Sequence, residues 1–282
     1  MRFTTLIDTD ALAARLSSES MVIADCRFDL NDTSAGERAY IEAHIPGAVY
    51  IHLDRDLSGT KTGVNGRHPL PDLQALTETF GRLGIDDGQQ VIAYDQDSGM
   101  YASRLWWMLR WLGHDAVAVL NGGYARWMAE QRPTRAGAEA PGPRRFTPRL
   151  RGDMLASVDE VTGAAAGWRL VDARAPERYR GDVEPLDRVA GHIPGALNHF
   201  FQSNLTEQGT FRPGPELASR FKDTFGETPA DHVICYCGSG VTACQNLLAL
   251  EHAGLTGAKL YAGSWSEWSA DPGRGVERSA TG

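Results

Sequence analysis

The segment at residues 233–243, VICYCGSGVTA, decides how this chain folds. Its first four residues form an apolar run with the length of a buried parallel strand. The glycines that follow favour a tight turn, and the residues after Thr242 have the pattern of a helix. A strand, a turn and a helix in this order predict an open α/β sheet, which binds ligands where its strands end. Cys237 lies in the turn, where converging backbone N–H groups and the helix N-terminus favour an anion.

Segments of the second half of the chain repeat segments of the first half, between 141 and 148 positions apart. The clearest is HIPGA, at residues 44–48 and again at residues 192–196. A period of this length indicates a duplicated domain. Strands alternate with helices in each repeat, which predicts an α/β fold of tandem domains, each a parallel sheet flanked by helices on both faces. We expect domains at residues 1–129 and 153–282, with the Pro- and Arg-rich residues 130–152 as a linker.

The sequence pattern also predicts individual helices. Each repeat is expected to open with a helix, at residues 9–16 and at residues 157–166. Amphipathic helices are expected at residues 71–83 and 215–225, each with a proline in its first turn. The last residues, 271–282, show no periodicity and are expected to fray.

Composition limits the class of protein and its location. The chain has 282 residues, 42% of them hydrophobic, and a net charge of −8 at pH 7. That charge, without a basic stripe, argues against a nucleic-acid partner. The first residues carry an early acid and no long apolar core, so we expect neither a signal peptide nor a membrane partner. The four cysteines lack the spacing of a zinc site or a secreted disulfide framework, which makes the cytoplasm the expected location.

The loop CGSGVT at residues 237–242, together with the two HIPGA turns, resembles the rhodanese-type sulfurtransferases, and most closely their 3-mercaptopyruvate branch. The resemblance covers nearly the whole chain. It implies an enzyme without cofactor or metal that carries sulfur as a persulfide on Cys237, cradled by the loop amides. The implied donor is a small anion, 3-mercaptopyruvate. The implied acceptor is a thiol, such as thioredoxin or a small thiol, or cyanide.

The same resemblance points to arginines that bind the donor. The family counterpart of Arg178 binds the substrate anion, and only the second repeat has this arginine. A guanidinium group can hold a carboxylate by two parallel hydrogen bonds. The 3-mercaptopyruvate enzymes usually carry a second arginine directly after a Glu-Pro pair. Here Leu186 stands at that position, and the nearest arginine is Arg188.

A serine–histidine–aspartate relay, inferred for some relatives, has two candidate members here. Ser239 and His68 match the serine and the histidine, whereas His52 occupies the expected aspartate position and Asp54 follows two residues later. The predicted site therefore consists of Cys237 and Ser239 as catalytic residues, with Arg178, Arg188, Gly238, Gly240, Val241, Thr242 and His68 as substrate-binding residues.

Features present in both repeats are expected to be structural. These are the Asp-x-Arg sequences at residues 25–27 and 172–174 and the histidines of the two HIPGA turns. The repeats differ where Asp95 stands in the first and Cys237 in the second. Because a carboxylate cannot act as a sulfur nucleophile, the first domain is expected to be catalytically silent.

Three other functions stay open. Thiosulfate is the alternative donor, although rhodaneses that use it usually place cations after the cysteine, where this chain has Gly238 and Ser239. A phosphatase or arsenate reductase would also use a cysteine in an anion nest, but position 243, where the tyrosine-phosphatase pattern needs arginine, is Ala243. A non-catalytic sulfur-binding module is the third, and the intact cysteine loop disfavours it.

Overall fold

Two parallel sheets organise the chain, because its apolar runs are short and are separated by helices. The computed structural model describes residues 2–163 and 167–279. The chain divides into two compact units, each assembled from three stretches of sequence. These stretches are Met1–Gly59, Pro71–Arg151 and Glu207–Thr210 for the first unit, and Thr60–Leu70, Gly152–Thr206 and Phe211–Gly282 for the second. A loop from the first repeat, Thr60–Leu70, therefore belongs to the second unit.

The first unit contains a five-stranded sheet. Its strands are β1 (Leu6–Ile7), β2 (Met21–Asp25), β3 (Ala48–Tyr50), β4 (Gln90–Tyr94) and β5 (Val117–Leu120). They pair in parallel in the order β1-β5-β4-β2-β3. The helices of this unit are α1 (Thr9–Ala13), α2 (Ala35–Glu42), α3 (Leu53–Asp56), α4 (Leu73–Arg82), α5 (Ala102–Trp111) and α6 (Gly123–Ala129).

The second unit contains a four-stranded sheet. Its strands are β6 (Arg169–Asp172), β7 (Leu197–Asn198), β8 (Val233–Tyr236) and β9 (Lys259–Leu260), paired in parallel in the order β7-β6-β8-β9. A parallel bridge between Leu155 and Leu260 occupies the place that β1 takes in the first unit. The helices are α7 (Val158–Thr162), α8 (Pro176–Arg180), α9 (Gly214–Phe225), α10 (Ala243–His252) and α11 (Ser264–Trp268).

The predicted architecture of tandem α/β domains, each with a parallel sheet, is confirmed, whereas several helix ends differ from the prediction. Helix α1 ends at Ala13, because the next residues form a turn. Pro71 lies ahead of α4, whose N-cap is Asp72, since the Asp72 carboxylate accepts hydrogen bonds from the first turn. Residues 164–166 of the helix predicted at 157–166 lie outside the described residues. Among the described residues, no helix is both long and apolar enough to span a bilayer.

Two segments without periodicity are nevertheless fixed by backbone hydrogen bonds. In the segment predicted as a linker, Gly137 N donates to Ile41 O at 2.8 Å and Arg144 N donates to Gly81 O at 2.8 Å. The prediction of a frayed tail is wrong for residues 271–279, because Glu277 exchanges two backbone hydrogen bonds with His192, at 2.9 and 3.0 Å. Residues 280–282 lie outside the described residues. Backbone pairing of this kind leaves no mark in hydrophobic periodicity.

The features shared by both repeats have structural contacts, as expected. Arg27 donates to the Asp25 carboxylate at 2.6 Å and to the Ala43 carbonyl at 2.7 Å. Arg174 makes the same pair with Asp172, also at 2.6 Å. Each arginine thus connects the end of a central strand to the residue directly before the HIPGA turn. The His44 and His192 rings stack on Tyr40 and Tyr179, with ring centroids 4.3 and 3.8 Å apart.

Candidate active site

The Cys237 loop curls back so that a backbone amide meets the sulfur. Cys237 directly follows β8 and is 1% exposed, and Gly240 N donates to its Sγ at 3.2 Å. Gly240 has a φ of +76°, and a Cβ at this position would lie 2.3 Å from Ala262 O. Only glycine therefore permits both the conformation and the close approach. The result is a sulfur atom that faces an N–H donor in a buried turn.

The start of α11 holds this loop from behind. Trp265 N donates to Cys237 O at 3.0 Å, and Ser266 N donates to Gly238 O at 2.9 Å. The Ser264 hydroxyl accepts from Cys237 N at 3.0 Å and donates to Tyr261 O at 2.9 Å. These bonds fix the backbone on both sides of the sulfur.

Ser264 adopts a left-handed conformation that a serine rarely takes, with a φ of +54°. Its counterpart in the first repeat is Gly123, with a φ of +60°. The first unit therefore uses glycine in this conformation, whereas the second unit uses a residue whose hydroxyl reaches Cys237 N. Such a conformation costs of order 1–3 kcal/mol, and it persists only where contacts with the surrounding structure hold the residue in place.

We expect Ser264→Ala to lower the stability of the protein and the rate of the sulfur transfer that the sequence resemblance implies. The change keeps the unfavourable φ and leaves Cys237 N–H buried without an acceptor, at a cost of about 1–3 kcal/mol. Ser264→Gly removes the backbone strain but also lacks the hydroxyl, so its stability should recover in part while its kcat/KM stays low. Thermal unfolding and steady-state kinetics of both variants test this. Ser269→Ala, which removes a hydroxyl bonded to Trp265 O in α11, is the control. Wild-type kcat/KM in Ser264→Gly would contradict the argument.

The structure brings together the first two members of the predicted relay. Ser239 Oγ lies 2.8 Å from His68 Nδ1, and both side chains are buried. His68 reaches this place because its loop belongs to the second unit. His52, at the position of the expected aspartate, instead caps α3, since its Nδ1 accepts from Asp54 N at 3.1 Å and its Nε2 lies 3.0 Å from Thr33 O.

Two guanidinium groups lie beside Gly238. A Cβ placed on Gly238 would be 2.7 Å from Arg67 Nη2 and 3.6 Å from both terminal nitrogens of Arg178. The structure therefore places Arg178, the predicted substrate-binding arginine, next to the loop. Arg67 was missed in the sequence analysis. Its only signal was its position directly before His68, in a loop already assigned to the site.

Carboxylates hold both guanidinium groups. Arg178 Nη2 donates to Glu184 Oε1 at 2.6 Å, and Arg174 Nη1 donates to Glu184 Oε2 at 3.2 Å. The Asp187 carboxylate accepts from Arg67 Nη1 and lies 3.5 Å from Arg178 Nη2. The formal charges of Arg67 and Arg178 are thus matched by those of Glu184 and Asp187.

The remaining predicted residues lie around this centre. Arg188 is exposed and lines a cavity of about 590 Å³ together with Arg67, Asp187 and Ser266. The carbonyls of Val241 and Thr242 accept from Cys244 N and Gln245 N, which begins α10 directly behind the loop. Among the described residues, no group of His, Cys, Asp and Glu side chains is arranged to hold a metal ion.

All four cysteines are buried, and the other three differ from Cys237 in the groups that surround the sulfur. Burial raises the pKa of the Cys235 thiol in β8 and of the Cys26 thiol in the first unit, so both stay protonated. The Cys244 thiol donates to Gly240 O at 3.3 Å. Among the four cysteines, Cys237 is the one whose sulfur accepts the N–H of the glycine turn.

The matching turn of the first unit holds a carboxylate. Asp95 is 2% exposed, and its oxygens accept from Gly99 N at 2.9 Å, Tyr101 N at 2.8 Å and Ala102 N at 3.1 Å. Burial raises the pKa of Asp95, while these three amides act in the opposite direction. Gly99, with a φ of +73°, has the conformation that Gly240 has in the second unit. The first unit thus forms the same kind of anion nest around its own side chain.

Comparisons with known proteins agree on one family. Residues 8–130 and 157–271 match the rhodanese-like domain. A Pseudomonas aeruginosa protein named "Probable 3-mercaptopyruvate sulfurtransferase" is 46% identical over 277 residues, which cover 96% of this chain and 97% of that protein. The thiosulfate sulfurtransferase of Rattus norvegicus is 33% identical, with 94% and 92% covered. The structure of 3-mercaptopyruvate sulfurtransferase from Leishmania major superimposes with a TM-score of 0.83 at 30% identity, over 94% of this chain and 74% of that one.

Proposed function

The chain belongs to the rhodanese-like sulfurtransferases, and we propose that it moves sulfur from 3-mercaptopyruvate to a thiol or cyanide through a persulfide on Cys237. One observation carries this proposal. The sulfur of Cys237 accepts an amide N–H in the same loop where Gly238 meets two guanidinium groups. A nucleophilic sulfur and a binding site for an anionic donor are thereby combined in one turn.

In the first step, the Cys237 thiolate attacks the sulfur of 3-mercaptopyruvate. An S–S bond forms, the C–S bond breaks, and its electron pair leaves on carbon as the enolate of pyruvate. The thiol proton of the donor stays on the outer sulfur. The enolate takes up one proton, delivered by the Ser239 hydroxyl and replaced on that hydroxyl through His68. Their separation of 2.8 Å suits such a transfer.

In the second step, an acceptor attacks the outer sulfur of the persulfide. A thiolate acceptor leaves as a persulfide that keeps the proton of the outer sulfur. Cyanide leaves as thiocyanate, and that proton passes to solvent. In both cases Cys237 returns as the thiolate. Gly240 N–H, which donates to the Cys237 sulfur, stabilises the thiolate before and after each cycle. Gly238 contributes by leaving space for the donor beside the two arginines.

Arg178 and Arg67 bind the donor carboxylate in this proposal. Both guanidinium groups lie within reach of the space in front of Gly238, and Arg178 is held in place by Glu184. Arg188 adds positive charge at the edge of the adjoining cavity. Asp95 leaves the first domain without a nucleophile, so we propose that residues 1–129 are catalytically silent, that residues 130–152 connect the domains, and that residues 153–282 contain the nucleophile. The buried free cysteines fit a cytoplasmic protein.

Thiosulfate is the second candidate donor, and one observation favours it. The sequence argument against it was that neutral residues follow Cys237. The structure corrects this argument, because Arg67 and Arg178 bring cations to the loop from elsewhere in the chain. The paired carboxylates of Glu184 and Asp187 offset these charges and favour a donor with one negative charge over a donor with two.

We expect the protein to prefer 3-mercaptopyruvate to thiosulfate by at least about tenfold in kcat/KM, which is about 1.4 kcal/mol of transition-state free energy. The measurement is a steady-state comparison of both donors, with the same preparation, acceptor, pH and ionic strength. Cys237→Ser, measured in parallel, subtracts any transfer that occurs without the nucleophile. A wild type that favours thiosulfate would overturn the donor assignment and leave the sulfurtransferase assignment intact.

A further inference from the structure

Asp187 is a buried carboxylate between the two arginines of the site. Its side chain is 7% exposed, and it accepts a hydrogen bond from Arg67 Nη1. Its Oδ2 lies 3.5 Å from Arg178 Nη2 and accepts no hydrogen bond from the part of the chain that the structure describes. Arg178 Nε is likewise buried without an acceptor there. Buried polar atoms without partners are uncommon, and here both occur at one ion pair.

These orphaned atoms show that Asp187 satisfies the two guanidinium groups only in part. An incoming carboxylate or sulfonate group could accept from both groups with better geometry, since guanidinium N–H groups bind such anions in pairs. We propose that Asp187 is an internal anion that occupies the Arg67–Arg178 pair until the donor displaces it, and that its charge makes the site select singly charged donors. This inference rests on the proposed function and names what sets the donor preference.

The surroundings of Asp187 allow its side chain to leave without moving the loop. Asp187 N and Leu186 N donate to Glu184 Oε1 at 3.2 and 3.1 Å, so the backbone stays anchored. Asp187 also lines the cavity of about 590 Å³, which gives its carboxylate room, and Arg188 lines the same cavity as a second cation. Arg178 keeps its 2.6 Å bond to Glu184 throughout.

The charge of Asp187 acts more strongly on a dianion than on a monoanion. With Asp187 present, Arg67, Arg178, Glu184 and Asp187 sum to no net charge. When Asp187 is made neutral, the cluster gains one positive charge. The Coulomb attraction of that charge is twice as large for a donor with two negative charges as for a donor with one, and burial limits its screening by salt.

The test uses Asp187→Asn in the intact protein, with sulfate as the dianion probe and pyruvate as the monoanion probe, both measured by calorimetric titration without turnover. We expect sulfate to bind at least about tenfold more tightly than to the wild type, and pyruvate about threefold more tightly. The kcat/KM ratio of thiosulfate to 3-mercaptopyruvate should therefore rise by about threefold, which is the quotient of these two changes, mainly through KM. Asp187→Glu, which keeps the charge, should restore the wild-type selectivity, and Asp187→Ser repeats the test if the amide disturbs the loop.

Asp182→Asn is the matched control, because Asp182 pairs with Arg180 at 2.8 Å and faces neither arginine of the site. It should leave the affinities for both probes unchanged. Weaker binding of sulfate and pyruvate to Asp187→Asn would mean that Asp187 positions Arg67, and would overturn the proposal. Equal tightening of both probes would overturn the charge selection. Because neither titration requires sulfur transfer, these outcomes are distinct from failure of the proposed function, which Cys237→Ser would reveal.

Discussion

Cys237→Ser is expected to reduce sulfur transfer by more than about a thousandfold while leaving the thermal unfolding temperature close to that of the wild type. Serine is nearly isosteric with cysteine, and its oxygen can accept the N–H of Gly240 in place of sulfur. A hydroxyl cannot carry sulfur as a persulfide, so the covalent step is lost, not merely slowed. Intact-protein mass measured after donor treatment should show one added sulfur atom on the wild type and none on the variant.

Two matched variants make this result specific to one thiol. Cys235→Ser and Cys244→Ser remove buried thiols on either side of the nucleophile, and both variants should still gain the sulfur atom. Cys235 lies inside β8, where burial raises its thiol pKa, and Cys244 donates to a carbonyl from α10. An adduct on Cys237→Ser, or its loss from either control, would assign the persulfide to another cysteine.

Arg178→Ala is expected to lower kcat/KM for both anionic donors by about ten- to a hundredfold. A hydrogen bond to a charged group contributes about 1.5–3 kcal/mol, which corresponds to this range. Arg178→Lys keeps the charge but loses the paired N–H groups, so it should retain part of the activity. The measurement is kcat/KM for each donor, with far-UV circular dichroism to verify the fold.

The same substitution should also lower the unfolding temperature. Arg178 is 17% exposed and pairs with Glu184 and Asp187, which are 3% and 7% exposed. Each carboxylate keeps a second arginine, so we expect a loss of about 1–2 kcal/mol instead of the full cost of an isolated buried charge. Arg180→Ala, in the same helix and in an exposed pair with Asp182, is the control. Unchanged kcat/KM in Arg178→Ala would make Arg178 a structural residue.

The fold was predictable because the sequence contains two copies of the same pattern of strands and helices. Apolar runs such as residues 91–94 and 233–236 match in type and spacing, and the HIPGA turns mark equivalent points in both sheets. The Cys237 loop was predictable for a similar reason, since the glycine at position 240 marks a tight turn with a left-handed φ. Local patterns and their repetition therefore sufficed for the strands and for the turn that holds the sulfur.

The electrostatics of the site could not be predicted in the same way. Arg67 reaches Gly238 only because its loop joins the second unit, and nothing in the periodicity of residues 60–70 indicates that placement. The pairing of Arg178 with Glu184 and Asp187 depends on the path of an irregular segment. Ser264 could have been singled out from the sequence, because aligning the repeats places it opposite Gly123. The structure shows that both positions have a left-handed φ.

The nest of the first unit has a consequence for how the duplicated domain is used. The carboxylate of Asp95 is, in chemical terms, a ligand tethered to its own binding site by a covalent backbone. Tethering gives it an effective concentration that a free anion in solution does not reach. The nest is therefore occupied by its own side chain, and its three N–H donors offset part of the cost of burying that carboxylate. In the second unit, Gly240 N–H faces the Cys237 sulfur instead, so in the proposed cycle its affinity for an anion is available for turnover.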